Sequence, residues 1–269
     1  MTIKQISLQL LILLLAACST VPITGRKQLS LVSSDEVIQM SATQYKEVLT
    51  KSKVSDNKEQ TKLIKRAGQK IRGAVEKYMA SKGLSSELNG FKWEFNLIDN
   101  DSIANAWCMP GGKVAFYTGI MRICQDENGV AVVMGHEVAH AIANHGRERL
   151  SQGMLANGLL SGLSVAMGEN PTLTQQVLLQ AMGVGTQLGM LSFSRQDESE
   201  ADHIGLIFMT LAGYDPNEAP KFWERMVTMN GSQQPPQFLS THPSHATRIQ
   251  DLKGWIPEAM QYKKVIAGN

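Results

Sequence analysis

His136-Glu137-Val138-Ala139-His140 places two imidazoles four residues apart with an acid beside the first. On a helix, residues four apart lie one turn above each other, so both rings can meet a single ion. Neutral imidazole suits zinc, and two histidines with one carboxylate leave a fourth coordination position open to water. Glu137 lies about 100° around the helix from His136. There it can reach such a water as a base without ligating the ion. The flanks Val130–Met134 and Val138–Ile142 are apolar, so these polar side chains would be buried and need something to bind. A buried histidine pair satisfied by hydrogen bonds alone is the competing reading, and it leaves Glu137 unused.

A third ligand must come from elsewhere in the chain. The run Ser194-Arg195-Gln196-Asp197-Glu198-Ser199-Glu200-Ala201-Asp202 offers Asp197, Glu198 and Glu200. On a helix Glu198 and Asp202 share a face, with Ala201 and Gly205 giving it small side chains, whereas Glu200 points about 160° away from Glu198. A carboxylate ligand with a second carboxylate one turn on suits a ligand plus an acceptor for the outer N–H of a ligand histidine. Spacing alone leaves the three acids open. His145, about 140° around from His140 on a continuous helix, reads as structural, and His203 and His245 as surface or packing residues.

Holding these groups takes helices and a sheet. Val130 to about Asn144 reads as an apolar helix opened by the acids Asp126 and Glu127. A second helix carries Glu198 to about Leu211, and Asp215-Pro216 with Glu218 opens another to about Met229. Upstream, Ser33 and Glu36 fit a capping box before a helix with Val37, Met40 and Val48 on one face. The stripe Leu63, Ile64, Ala67, Ile71, Ala74, Val75 and Tyr78 marks the next helix. Phe91, Trp93, Phe95 and Leu97 alternate with polar residues, a strand with one buried face. Ile103–Met109 and Lys113–Thr118 read as two more strands around the turn Pro110-Gly111-Gly112. Residues 151–193 read as two buried or half-buried helices, because Gln152, Asn157, Gln175, Gln176, Gln180 and Gln187 break any membrane span. A last helix is placed around Ala246–Leu252. The expected fold class is α+β, helix-dominated, with a small three-stranded sheet and the metal site between two helices.

The chain of 269 residues is long enough for one catalytic domain, and a net charge of +2 argues against a nucleic-acid partner. Its N-terminus has Lys4, then an apolar run Ile6–Leu15, then Leu15-Ala16-Ala17-Cys18. The run is too short to span a bilayer and suits the apolar region of a secretory signal. Leu-Ala-Ala-Cys resembles the lipobox of bacterial lipoproteins, in which the cysteine is acylated and anchors the protein to a leaflet. The expected organisation is a lipoprotein signal peptide over 1–17, a lipidated polar tether over 18–33 and a metallopeptidase domain over 34–269. Cys108 and Cys124 could pair as a disulfide on count alone, with free core thiols the favoured reading.

Taken in order, Asn105-Ala106-Trp107 with Pro110-Gly111-Gly112, His136–His140, Ser194-Arg195 with Glu198 and Ala201-Asp202, and His242-Pro243 with Arg248 resemble the HtpX and CAAX-prenyl-protease-like zinc metallopeptidases. Within them the chain is similar to the soluble lipoprotein branch with BepA-, LoiP- and Oma-like members. The resemblance implies a gluzincin-like zincin fold and one Zn2+ per chain, held by His136, His140 and Glu198, with Glu137 as catalytic base. It implies that Asp202 orients a ligand imidazole, His136. Asn105 and Ala106 resemble the edge strand on which such enzymes lay an extended substrate, through backbone hydrogen bonds to an unpaired strand edge. His242 is expected near the zinc, steadying the oxyanion or filling the open metal position in a latent state. Arg248 has two readings, a salt bridge within the site or a hold on the last helix, and the second is favoured. The implied function is zinc-dependent endopeptidase action on misfolded or unassembled envelope proteins. The alternative is a zinc-stabilised envelope chaperone or assembly factor. Polypeptide substrates, the membrane through Cys18 and envelope assembly machinery are the implied partners. The bacterial envelope, at the outer membrane facing the periplasm, is the implied location, since Ser19 rather than Asp follows Cys18.

Overall fold

A computed structural model of the chain describes residues 18–156, 193–230, 236–243 and 246–267. The signal segment, most of the 151–193 stretch and His245 lie outside the described residues. The described order is β1 (Cys18–Thr20), β2 (Lys27–Leu29), α1 (Ser34–Lys51), α2 (Lys58–Ser81), β3 (Glu94–Ile98), β4 (Ala106–Met109) and β5 (Lys113–Tyr117). There follow α3 (Thr118–Cys124), α4 (Glu127–Ile142), α5 (His145–Ala156), α6 (Arg195–Leu211), α7 (Glu218–Asn230), α8 (Phe238–Thr241) and α9 (Arg248–Ala267). Helices dominate, with two small sheets.

Local chemistry sets the helix starts. The Ser33 hydroxyl accepts the Glu36 N–H while the Glu36 carboxylate accepts the Ser33 N–H, the reciprocal cap expected for α1. Asp126 caps α4 by accepting from the Gly129 N–H. α4 is apolar nearly all round, which is the signature of a helix with no solvent face. Residues 129–142 are all buried.

β3 runs parallel to β5, and β4 runs antiparallel to it, giving the order β3-β5-β4. The Pro110-Gly111-Gly112 turn needs its glycines, both at positive φ. A Cβ at Gly112 would also meet the Trp93 ring at 2.6 Å. β3 buries the Phe95 and Leu97 face as expected, and the sheet as a whole is covered on both faces. Phe95, Leu97, Cys108, Val114 and Phe116 join the main core with α2 and α4, while Trp107, Met109 and Ala115 pack with Val37 and Tyr45 of α1. Tyr45 reaches across to donate its hydroxyl to the Val114 carbonyl at 2.6 Å.

Three expectations change. The polar tether is structured: Cys18–Thr20 and Lys27–Leu29 pair as a hairpin, with Val21 fully buried beside it. The last helix does not stop near Leu252 but continues to Ala267 through Gly254 and Pro257. Leu252, Trp255, Ile256, Ala259 and Tyr262 supply a face that packs on the core and carries it past both residues. The helix expected to reach Asn144 ends at Ile142, and Asn144 takes a left-handed φ of 61° before α5 begins. Cys108 and Cys124 are buried free thiols. Among the described residues, no helix is long and apolar enough to cross a membrane.

Candidate metal centre

α4 and α6 cross with their backbones in contact. A Cβ on Gly135 would lie 2.8 Å from the Gly205 carbonyl oxygen, and one on Gly205 would lie 2.8 Å from the His136 nitrogen. Two glycines therefore set the approach, and that approach puts the acids of α6 against the histidines of α4.

His136 Nε2 and His140 Nε2 lie 3.0 Å apart. Glu198, with no solvent exposure, places its carboxylate oxygens 3.6 Å from His136 Nε2 and 3.4 Å from His140 Nε2. His242 comes in from beyond α8, its Nδ1 2.9 Å from Glu198 Oε1 and 3.1 Å from His136 Nε2. One ligand atom from each of His136, His140, Glu198 and His242 lies within 4.8 Å of the others, and all four residues are buried. Around a tetrahedral zinc, with bonds near 2.0–2.1 Å, neighbouring nitrogens sit about 3.3 Å apart. The spacing fits.

Outer partners fix which nitrogen points inward. Asp202 Oδ1 accepts from His136 Nδ1 at 2.9 Å, so the proton sits on Nδ1 and a lone pair faces the cluster from Nε2. Lone pairs converging on a carboxylate in a buried site need a cation between them. Burial pushes the His140 imidazole well below its usual pKa, which keeps it neutral as a ligand must be. Burial opposes the charge on Glu198, but His242, Arg248 and His136 outweigh it and hold the carboxylate well below the usual range. The donor set fits a divalent metal.

Glu137, also buried, stands beside the cluster, its Oε1 3.3 Å from His242 Nε2. The backbone of Cys108 in edge strand β4 lies beside its carboxylate and lowers its pKa. Burial raises Glu137 to about 8, with His136 pulling down and Glu198 pushing up. Glu137 and His140 line a narrow crevice with Cys108, Pro110, Gly146 and Phe193. At the other end of the edge, Asn105 turns its side-chain oxygen onto the Ala106 N–H at 2.9 Å, and the Ala104 carbonyl accepts from the Phe238 N–H. Asn105 and Ala106 are both buried.

Of the three competing acids, Glu198 alone faces the imidazoles of His136 and His140. Asp197 completes a second capping box with Ser194 at the start of α6. Glu200 turns to His145. The favoured reading of Arg248 fails, because its guanidinium is buried in the site, 2.9 Å from Glu198 Oε2 and 2.6 Å from Asp202 Oδ2, over the Trp223 ring. His203 pairs with Glu258 near the surface.

Two participants escaped the sequence reading. His145 Nδ1 lies 2.8 Å from His140 Nδ1, and His145 Nε2 lies 2.9 Å from Glu200 Oε2. The 140° rotation assumed an unbroken helix, and the break at Asn144 removes that assumption. Arg26, from the hairpin read as a tether, places Nε 2.8 Å from Glu200 Oε2 and Nη2 2.9 Å from Glu148 Oε2 and 3.1 Å from Asp197 Oδ1. Burial works against the Glu200 charge, but hydrogen bonds from His145, Thr24 and Arg26 lower it to about 2. No local pattern points to Arg26.

The arrangement has counterparts among known proteins. The chain is 33% identical to the mitochondrial metalloendopeptidase OMA1 of Schizosaccharomyces pombe over 89% of its length and 66% of that protein. It is 33% identical to the beta-barrel assembly-enhancing protease of Escherichia coli K12, over 66% of this chain and 38% of that one. Against the human metalloendopeptidase OMA1 it is 27% identical, over 91% of this chain and 47% of the relative. The chain thus spans between about a third and two thirds of these curated relatives. The model of peptidase family M48 matches residues 65–256, a stretch that contains His136, Glu137, His140, Glu198, Asp202, His242 and Arg248 but neither Thr24 nor Arg26. A buried cluster built on His136, Glu137 and His140, inside a match over more than half its length, makes this chain a member of peptidase family M48.

Proposed function

We propose that the chain is a zinc-dependent metalloendopeptidase that cleaves internal bonds in extended segments of unfolded or unassembled envelope proteins. One observation carries the reading: His136, His140 and Glu198 converge in one buried cluster, with the Glu137 carboxyl beside it. A structural metal site needs ligands but no neighbouring base.

His136, His140 and Glu198 would hold the ion, with Asp202 and Arg248 orienting two of them. Bound there, zinc supplies a Lewis acid that acidifies water and polarises the scissile carbonyl. Glu137 takes the proton of the attacking water on its carboxylate and passes it to the leaving amine. Its contact with the Cys108 backbone steadies that carboxylate against the strand edge where Asn105 and Ala106 would align an extended peptide. His242 bridges base and ligand in the form described here, which favours its reading as an occupant of the open position in a latent state over an oxyanion role.

The client class is supported by the Escherichia coli relative, a beta-barrel assembly-enhancing protease. The same relative supports the alternative of an assembly factor with little proteolysis. A lipid anchor at Cys18, on the periplasmic side of the outer membrane, rests on the lipobox-like Leu15–Cys18 and on the exposure of Cys18 at the start of β1. An unmodified mature N-terminus by intact mass would overturn the anchor.

The deciding experiment is cleavage of an unfolded protein by the purified, metal-analysed chain and by Glu137→Gln. The expected result is one zinc per chain in both, and turnover at least about 100-fold lower in the variant, the low end of what a positioned acid–base group contributes. Full activity in zinc-loaded Glu137→Gln ends the proposal. Zinc without cleavage in the unaltered chain selects the assembly factor.

A further inference from the structure

The two ligand imidazoles are supported differently. His136 leans directly on Asp202, whereas His140 leans on another imidazole. For His140 to present a lone pair at Nε2, its proton must sit on Nδ1, and that atom lies 2.8 Å from His145 Nδ1. His145 must then accept at Nδ1 and carry its own proton on Nε2, which lies 2.9 Å from Glu200 Oε2. In the opposite tautomer, two N–H groups would face each other. His145 has no solvent exposure, so no water can substitute for either partner from outside. The far end is clamped by the hairpin: Arg26 Nε lies 2.8 Å from Glu200, the Thr24 hydroxyl donates to the same carboxylate, and Arg26 Nη2 binds Glu148 and Asp197.

We propose that His145 and Glu200, held by Arg26 of the N-terminal hairpin, are positioning residues that fix the tautomer and direction of His140 for metal binding. The hairpin is thereby part of the metal centre, although it precedes the stretch 65–256 that the family model matches. Outer partners of this kind carry 10–100-fold of metal affinity.

This inference rests on the reading of His136, His140 and Glu198 as a zinc site, and the test separates the two. Zinc affinity is measured on the full chain by competition with a chelator. Melting temperatures are taken with and without zinc, because an ion that binds only the folded state raises the melting point. His145→Leu and Glu200→Gln are expected to weaken zinc about 10–100-fold and to shrink the zinc-induced rise. Arg26→Ala, at the periphery, should shift affinity the same way by less. His145→Gln should recover most of the loss, since its amide oxygen can accept from His140 while its N–H donates to Glu200. A lower zinc-free melting point with an unchanged zinc-induced rise would mean packing alone. Unchanged affinity in both His145→Leu and Glu200→Gln overturns the inference and leaves the zinc site standing. An unaltered chain that binds no zinc overturns both.

Discussion

At the residue scale, the central question is how many donors the cluster offers. His136, His140 and Glu198 make three, and His242 Nδ1 makes a fourth at 2.9 Å from Glu198. Four protein ligands close a tetrahedral zinc site, while catalysis requires one position left for water. His242 also lies 3.3 Å from Glu137, so the same imidazole engages both the base and a ligand. Phe238 stacks on its ring with centroids 4.3 Å apart, and Phe193 does so at 5.1 Å. If His242 is a latency ligand, His242→Ala should raise turnover on an unfolded substrate several-fold while weakening zinc. Steady-state kinetics beside a chelator titration check this. Lower turnover with zinc retained would assign His242 to the oxyanion instead, and unchanged turnover would exclude both roles.

At the element scale, the site depends on how closely α4 and α6 cross. Gly205→Ala puts its Cβ 2.8 Å from the His136 nitrogen and 3.0 Å from the Gly135 carbonyl oxygen. Both are backbone atoms, which cannot swing aside, so the helices must separate and take Glu198 away from the imidazoles. A loss of about 1–3 kcal/mol in urea unfolding is expected, together with substoichiometric zinc. Gly254→Ala in α9 meets nothing within 4 Å. It should instead gain about 0.5–1 kcal/mol from reduced chain entropy and better helix propensity. Equal stability and full zinc in Gly205→Ala would remove the glycine contact from the design of the site.

These elements also show what was legible beforehand. Ser33 with Glu36 announced α1, apolar periodicity announced α2, and an apolar run after the acids Asp126 and Glu127 announced α4, because all three patterns are local. The residue spacing left Asp197, Glu198 and Glu200 open, since sidedness on one helix does not say which helix lies opposite. The hairpin strands are three residues long, too short to show an alternation, and β2 packs against α5, more than a hundred residues away. His145 was misread because a left-handed Asn144 is invisible in a pattern of apolar residues. The last helix runs on past Leu252 through Gly254 and Pro257, because proline at an exposed turn can be carried by the helix's packed face.

At the scale of the whole molecule, the helix carrying His136 and His140 is tied to the elements on either side through its first residue. Glu127 opens α4 and accepts from Arg66 Nε of α2 at 2.6 Å, from Lys70 Nζ at 3.2 Å, and from the Tyr214 hydroxyl beyond α6 at 2.6 Å. The hydrogen bond from Arg66, aided by Tyr214 and Lys70, lowers Glu127 from 4.5 to about 2. A carboxylate whose folded pKa is depressed favours the folded state above its unfolded pKa, and that contribution fades as pH falls through the folded value. The window therefore runs from about 4.5 down to about 2. Glu127→Gln keeps the shape but loses the charge at the N-terminus of α4, where a negative group is also favoured by the helix dipole. Its expected cost is roughly 1–2 kcal/mol at pH 7, tempered because the Arg66 and Lys70 partners are half exposed. Urea unfolding of both chains across pH should show that gap constant above about 4.5 and closing towards pH 2. A gap that stays the same down to pH 2 would show that the Glu127 charge does not hold these three elements together, and that the helix carrying His136 and His140 is positioned by its apolar packing alone.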